Sequence, residues 1–113
     1  MIQIYHNNRC GKSREAIALL EKSEKEFEII RYLDQPPTFE ELSDLLKKLK
    51  FKPLELVRKK ESVWFENFKG KDLTEAEIIQ AMVDNPILIE RPIIIFGNQA
   101  IVARPPEKLN DFI

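Results

Sequence analysis

Cysteine and histidine are almost absent. The 113-residue chain has one of each, Cys10 and His6. A single cysteine forms no internal disulfide, which excludes a disulfide-stapled scaffold and makes the reducing cytosol the expected, cytoplasmic location. Nor do the Cys, His and carboxylate positions have metal-ligand spacing, so no metal and no bound cofactor are expected. No apolar run approaches the roughly 20 residues of a membrane span. The opening "MIQIYHNN" lacks the charged and apolar regions of a signal peptide, so neither membrane attachment nor export is expected. Charge of one sign is also missing: 18 Lys and Arg face 19 Asp and Glu, for a net charge of −1. That balance argues against a general nucleic-acid partner. There is no internal repeat or low-complexity segment.

What is present is ordinary for a globular protein. Hydrophobic residues make up 43% and charged residues 33%, consistent with a single domain over 1–113. The chain alternates elements. "MIQIY" is a short apolar run that suits a buried strand. "KSREAIALLEKS" places Ala16, Ile17 and Leu20 on one helical face. "EFEIIRYL" returns to strand character. Strand, helix and strand make a βαβ unit with parallel strands. After the break at "QPPT", Thr38 and Glu41 read as a capping box that opens a helix, and Thr74 and Glu77 as a second. Between them "LELVRKK" is expected as a short helix, and "ESVWFENFKGKD" as loop or irregular helix. "PIIIF" and "AIVA" flank Gly97-Asn98 and predict an antiparallel hairpin. "RPPEKLNDFI" predicts a short last helix with proline in its first turn. The predicted fold is α/β and thioredoxin-like. It has a four-stranded mixed sheet flanked by helices, with a helical insert at about 38–84 between the βαβ and ββα halves.

Cys10 falls between the first strand and the first helix, in "YHNNRCGKSREA". Backbone N–H groups at a helix start have no internal partner and point outward. Gly11 permits close backbone approach there, and Ser13 offers a hydroxyl. A free thiol is only about 3% ionised at pH 7, and a helix N-terminus with nearby cations raises that fraction. The polar, cationic surroundings of Cys10 favour a reactive thiolate over a buried structural thiol. His6 has two open readings: a cation or loop hydrogen bond that supports the thiolate, or a strand-end residue with ordinary polar contacts. Spacing removes two other chemistries. A tyrosine-phosphatase loop needs Arg after five intervening residues, and position 16 is Ala. A dithiol motif needs a second Cys at position 13, which is Ser. Arg9, Lys12 and Arg14 add a positive field around the loop.

The loop "YHNNRCGKSRE" resembles the active-site loop of the glutaredoxin-type arsenate reductase family. "RYLDQPPTFEEL", "LVRKK", "NPILIERPIII" and "VARPPE" resemble the family's later segments, in the same order. One departure is Asn8, where the family commonly has proline. The resemblance implies a nucleophilic Cys10 and an oxyanion site made by Arg58, Arg91 and Arg104. It also implies a cis Pro92 facing the loop. His6, Gly11, Ser13 and Pro92 would then support the site. Arginine suits the task, since its guanidinium fork donates parallel hydrogen bonds and keeps its charge.

The activity implied is reduction of arsenate to arsenite through a Cys–S–As adduct, with a role in arsenical resistance. With no second cysteine, an external thiol must resolve that adduct, and the family's donors are glutathione and glutaredoxin. A monomer is expected. One alternative is a glutathione-dependent thiol-disulfide oxidoreductase that needs Cys10 and Pro92 but not all three arginines. Another is a non-enzymatic module like the superfamily's RNA-polymerase-binding regulators, whose dithiol switch Ser13 denies here.

Overall fold

The computed structural model describes residues 2–113. They divide into two compact units, residues 2–35 with 91–113, and residues 36–90. The predicted insert falls inside the second.

In the first unit, β1 (Ile2–Tyr5) leads through the cysteine loop into α1 (Gly11–Lys22), and β2 (Phe27–Ile30) follows. β3 (Ile93–Phe96), β4 (Gln99–Val102) and α5 (Lys108–Phe112) complete the unit. The sheet order is β2-β1-β3-β4. β1 and β2 are parallel, while β3 runs antiparallel to both β1 and β4. The predicted mixed sheet is therefore the observed one. Strand residues alternate between faces, so Ile2, Ile4 and Ile94 share a face. On it they form one apolar core with Ala16 and Leu20 of α1, Ala103, and Leu109 of α5. Phe96 meets Phe112 edge-on, with ring centres 6.4 Å apart.

The second unit carries α2 (Phe39–Leu49), α3 (Ser62–Asn67) and α4 (Glu75–Asp84). Both predicted capping boxes form. Thr38 Oγ1 accepts from the Glu41 N–H at 3.1 Å, and Glu41 Oε1 accepts from the Thr38 N–H at 3.0 Å. Thr74 and Glu77 repeat the pattern at 3.2 and 2.9 Å. The apolar faces of α2 (Leu42, Leu45, Leu46, Leu49) and α4 (Ile78, Ile79, Met82) are buried.

Three segments differ from their sequence expectations. "LELVRKK" is not a helix. Pro53–Leu56 make one 3-10 turn, after which Val57 is extended and bridges Ile89 antiparallel. The β-branched Val57 and its bridge to Ile89 outweigh the weak helical signal. The "SVWFEN" stretch, expected as loop or irregular helix, is a regular helical segment, α3, with Trp64 buried. The last helix begins at Lys108, beyond Pro105 and Pro106. Those prolines lack N–H donors, but their carbonyls accept from Lys108 and Leu109, both at 3.1 Å. Among the described residues no helix is long and apolar enough to cross a membrane.

Leu20 is fully buried in the sheet-face core. Leu20→Ala should therefore cost about 2–5 kcal/mol in urea denaturation, against about 1 kcal/mol for loss of the Thr74 cap in Thr74→Ala. Equal small losses would contradict this account of the core.

Candidate functional site

The sheet register assembles the site. β1 ends at Tyr5, opposite Ile93 at the start of β3. β3 starts opposite Val102 at the end of β4. The residues just outside this corner are therefore the cysteine loop, Arg91-Pro92 and Arg104. Two bonds tie them together. The Ala103 N–H donates to the Pro92 carbonyl at 2.9 Å, and Arg104 Nε donates to the Arg91 carbonyl at 2.7 Å. The Arg91–Pro92 peptide is cis, as the family resemblance implied, and Arg104–Pro105 is cis as well.

Cys10 is the N-cap residue of α1, in extended conformation, and is 8% exposed. Its loop is closed by short polar contacts. The Cys10 N–H donates to the Asn7 carbonyl at 2.9 Å, and the Arg9 N–H to Asn7 Oδ1 at 3.0 Å. Ser13 is fully buried, and its Oγ accepts from the Asn7 N–H at 3.5 Å. Arg104 Nη2 stands 3.7 Å from Cys10 Sγ. Burial pushes the Cys10 thiol up. The Ser13 backbone N–H, the Arg91 guanidinium, the Lys12 N–H and the Ser13 hydroxyl outweigh it and lower the pKa to about 7. The first-turn N–H groups of Lys12 and Ser13 thus favour the charged form of the sulfur. Arg91 is itself held protonated: burial works against its charge, but Cys10 and Tyr32 raise its pKa.

Each sequence candidate can now be placed. Cys10, Ser13, Pro92, Arg91 and Arg104 come together in the first unit. A Cβ on Gly11 would meet only Arg14 Nη2, at 3.7 Å, so the folded loop does not itself demand glycine there. His6 is buried, and its backbone N–H donates to the Ile30 carbonyl at 2.9 Å. Burial, then the charges of Arg31 and Arg14, lower its pKa. A neutral imidazole is therefore the stable form at neutral pH, which removes the cationic role considered from sequence. Arg9, Lys12 and Arg14 are exposed. Arg58 belongs to the second unit. There its Nε lies 3.4 Å from Glu61 Oε1 and its Nη1 lies 3.4 Å from Glu90 Oε1.

The sequence reading missed Tyr32. Its ring stacks on Tyr5 with centres 5.8 Å apart, and its hydroxyl helps raise the pKa of Arg91. The only signal was a buried-looking aromatic beside a strand end in "IRYL". Among the described residues no group of three or more His, Cys, Asp or Glu side chains could hold a metal ion.

The family model described as the ArsC family matches residues 5–112. The chain belongs to the ArsC family. It is 44% identical to the protein YfgD of Escherichia coli, a name that assigns no activity, over 99% of this chain and 96% of that one. It is 37% identical to the arsenate reductase of Neisseria meningitidis, over 96% of this chain and 94% of that one. A solved arsenate reductase from Vibrio cholerae superposes with a TM-score of 0.94 at 38% identity, covering 99% of this chain and 97% of that one. The ArsC match runs through all five segments that carry the resemblance, and through both units.

Folding lowers the pKa of this ArsC-family thiol, so the stabilisation tied to its ionised form is fully present above the unfolded thiol's pKa. It is lost as pH falls through about 7. The stability margin of wild type over Cys10→Ser, measured by urea denaturation, should grow between about pH 7 and about pH 9. In an Arg91→Ala background that growth should flatten. A margin independent of pH would contradict the charge balance described above.

Proposed function

We propose that the protein reduces arsenate to arsenite with Cys10 as nucleophile, in the glutathione- and glutaredoxin-dependent manner of the family it resembles. The observation that carries this reading is a sulfur poised to ionise near neutrality, with the Arg91 and Arg104 guanidinium groups against it. It stands in a chain whose ArsC relatives include proteins named arsenate reductase.

Arsenate at neutral pH carries negative charge on several acceptor oxygens, which suits guanidinium donors. The Cys10 thiolate attacks arsenic, an S–As bond forms, and one As–OH bond breaks, its oxygen leaving as water after taking a proton. Arsenic is still in the +5 state. Glutathione thiolate then attacks the Cys10 sulfur, the S–As bond breaks, and its electron pair stays with arsenic, which leaves as arsenite in the +3 state. The Cys10–glutathione disulfide is returned to thiol by glutaredoxin. Phosphate has nearly the same shape and charge, so selectivity rests on the reducibility of arsenic.

Arg91 and Arg104 bind the oxyanion and hold the charge that builds on its oxygens. The family resemblance assigns Arg58 as a third oxyanion ligand, and within its own unit Glu61 and Glu90 orient its guanidinium. Ser13 supports the thiolate, Gly11 keeps the loop open to approach, and neutral His6 packs the end of β1. The protein acts in the cytoplasm as a monomer and needs no bound cofactor.

The test is a turnover assay with arsenate, glutathione and glutaredoxin, coupled to consumption of the reductant. Cys10→Ser should be inactive. Arg91→Ala and Arg104→Ala should each lose about 100-fold in kcat/KM for arsenate. If arsenate turnover is absent, or survives both arginine changes while protein mixed disulfides are reduced, the thiol-disulfide oxidoreductase reading replaces this one.

A further inference from the structure

The second unit contains an open hollow of about 400 Å³ that the proposed chemistry does not use. Its lining divides by chemistry. Leu54, Trp64, Phe68, Leu73 and Ile78 are apolar, whereas Lys59, Lys69 and Lys71 are cationic and face one acid, Asp72. The volume lies in the range of small-molecule sites.

The local sequence explains the arrangement. Trp64 and Phe68 are four residues apart around α3 and stack with ring centres 5.5 Å apart and planes inclined by 28°. Both line the hollow, with Trp64 nearly buried at 7% exposure and Phe68 partly exposed. The chain then turns at Gly70, where φ is +80°. That left-handed conformation favours glycine. The Lys69 N–H donates to the Trp64 carbonyl at 2.8 Å, and the Lys71 N–H to the Phe68 carbonyl at 3.1 Å. The turn thus places Lys69 and Lys71 in the lining of the hollow, and Lys59 joins them from the segment before α3. All three are exposed, and among the described residues none forms an ion pair. Lys69 instead lies 4.4 Å over the exposed Phe65 ring. A chain with a net charge of −1 therefore concentrates positive charge around one apolar concavity.

We propose that this hollow binds a small amphipathic anion, one with a flat apolar body and a single carboxylate- or sulfonate-like head. The body packs against Phe68 and the small exposed part of Trp64 and covers the surface offered by Leu54 and Leu73. The head is held by Lys69 and Lys71, and their charge sets the selectivity. A neutral molecule of the same shape fills the apolar part alone. The proposal does not depend on arsenate being the substrate.

Trp64 is the only tryptophan, so the site reports its own occupancy. The full chain is titrated with anilinonaphthalene sulfonate and with its neutral counterpart N-phenylnaphthylamine, while Trp64 fluorescence is read. The expected result is one saturable site that quenches Trp64 and prefers the sulfonate about tenfold, equal to about 1.4 kcal/mol. High salt should remove that preference in the unaltered protein. The double variant Lys69→Glu/Lys71→Glu should lose it while keeping affinity for the neutral probe, and the milder Lys71→Gln should reduce it. Non-saturable binding, equal affinity for both probes, or a preference that survives salt and charge reversal would overturn the proposal.

Discussion

The site depends on holding one sulfur where its charged form is easier to reach than in a free thiol. Cys10 is nearly buried, and burial alone would keep it a thiol. The opposing groups are the N–H groups at the start of α1, the Ser13 hydroxyl and the Arg91 guanidinium, and together they prevail. Their effect comes from being fixed around a sulfur with little water to compete, where each charge–dipole contact counts for more. The same positive setting that stabilises a thiolate also suits a bound oxyanion, so one arrangement serves both nucleophile and substrate in the proposed reaction.

The sheet makes that arrangement from distant residues. Arg91 and Arg104 lie equally far from the centre of the Gly97-Asn98 turn, so the antiparallel register of β3 and β4 must bring them to one corner. β1, paired to β3 on its other side, delivers the cysteine loop to the same corner. The core of Ile4, Leu20, Ile94 and Leu109 fixes α1 against the sheet, and through it the direction of the N–H groups at Cys10. Loss of packing there would disturb the thiol's environment without touching it.

Local patterns explain what the sequence revealed. Period-two and period-3.6 hydrophobicity, two Thr…Glu capping boxes and the Gly-Asn turn were each written in neighbouring residues, and each appears where expected. The βαβ start and hairpin finish then left few topologies. What stayed hidden depends on partners far apart in the chain. Nothing near Arg58 indicated that Glu90, thirty-two positions on, would share its charge. The stacking of Tyr32 on Tyr5 and its influence on Arg91 required the folded sheet edge. The charge state of His6 could not be read from its identity, because burial and Arg31 decide it. Pro53 and Val57 gave mixed local signals, and the pairing with Ile89 resolved them in favour of extended chain.

The most direct measurement is titration of the Cys10 thiolate in the unaltered protein, followed by its ultraviolet absorbance, since no other cysteine contributes. The expected inflection lies near pH 7. An inflection at the alkaline value of an ordinary free thiol, about 8.5, would contradict the claim that the loop and Arg91 hold the sulfur in its ionised form.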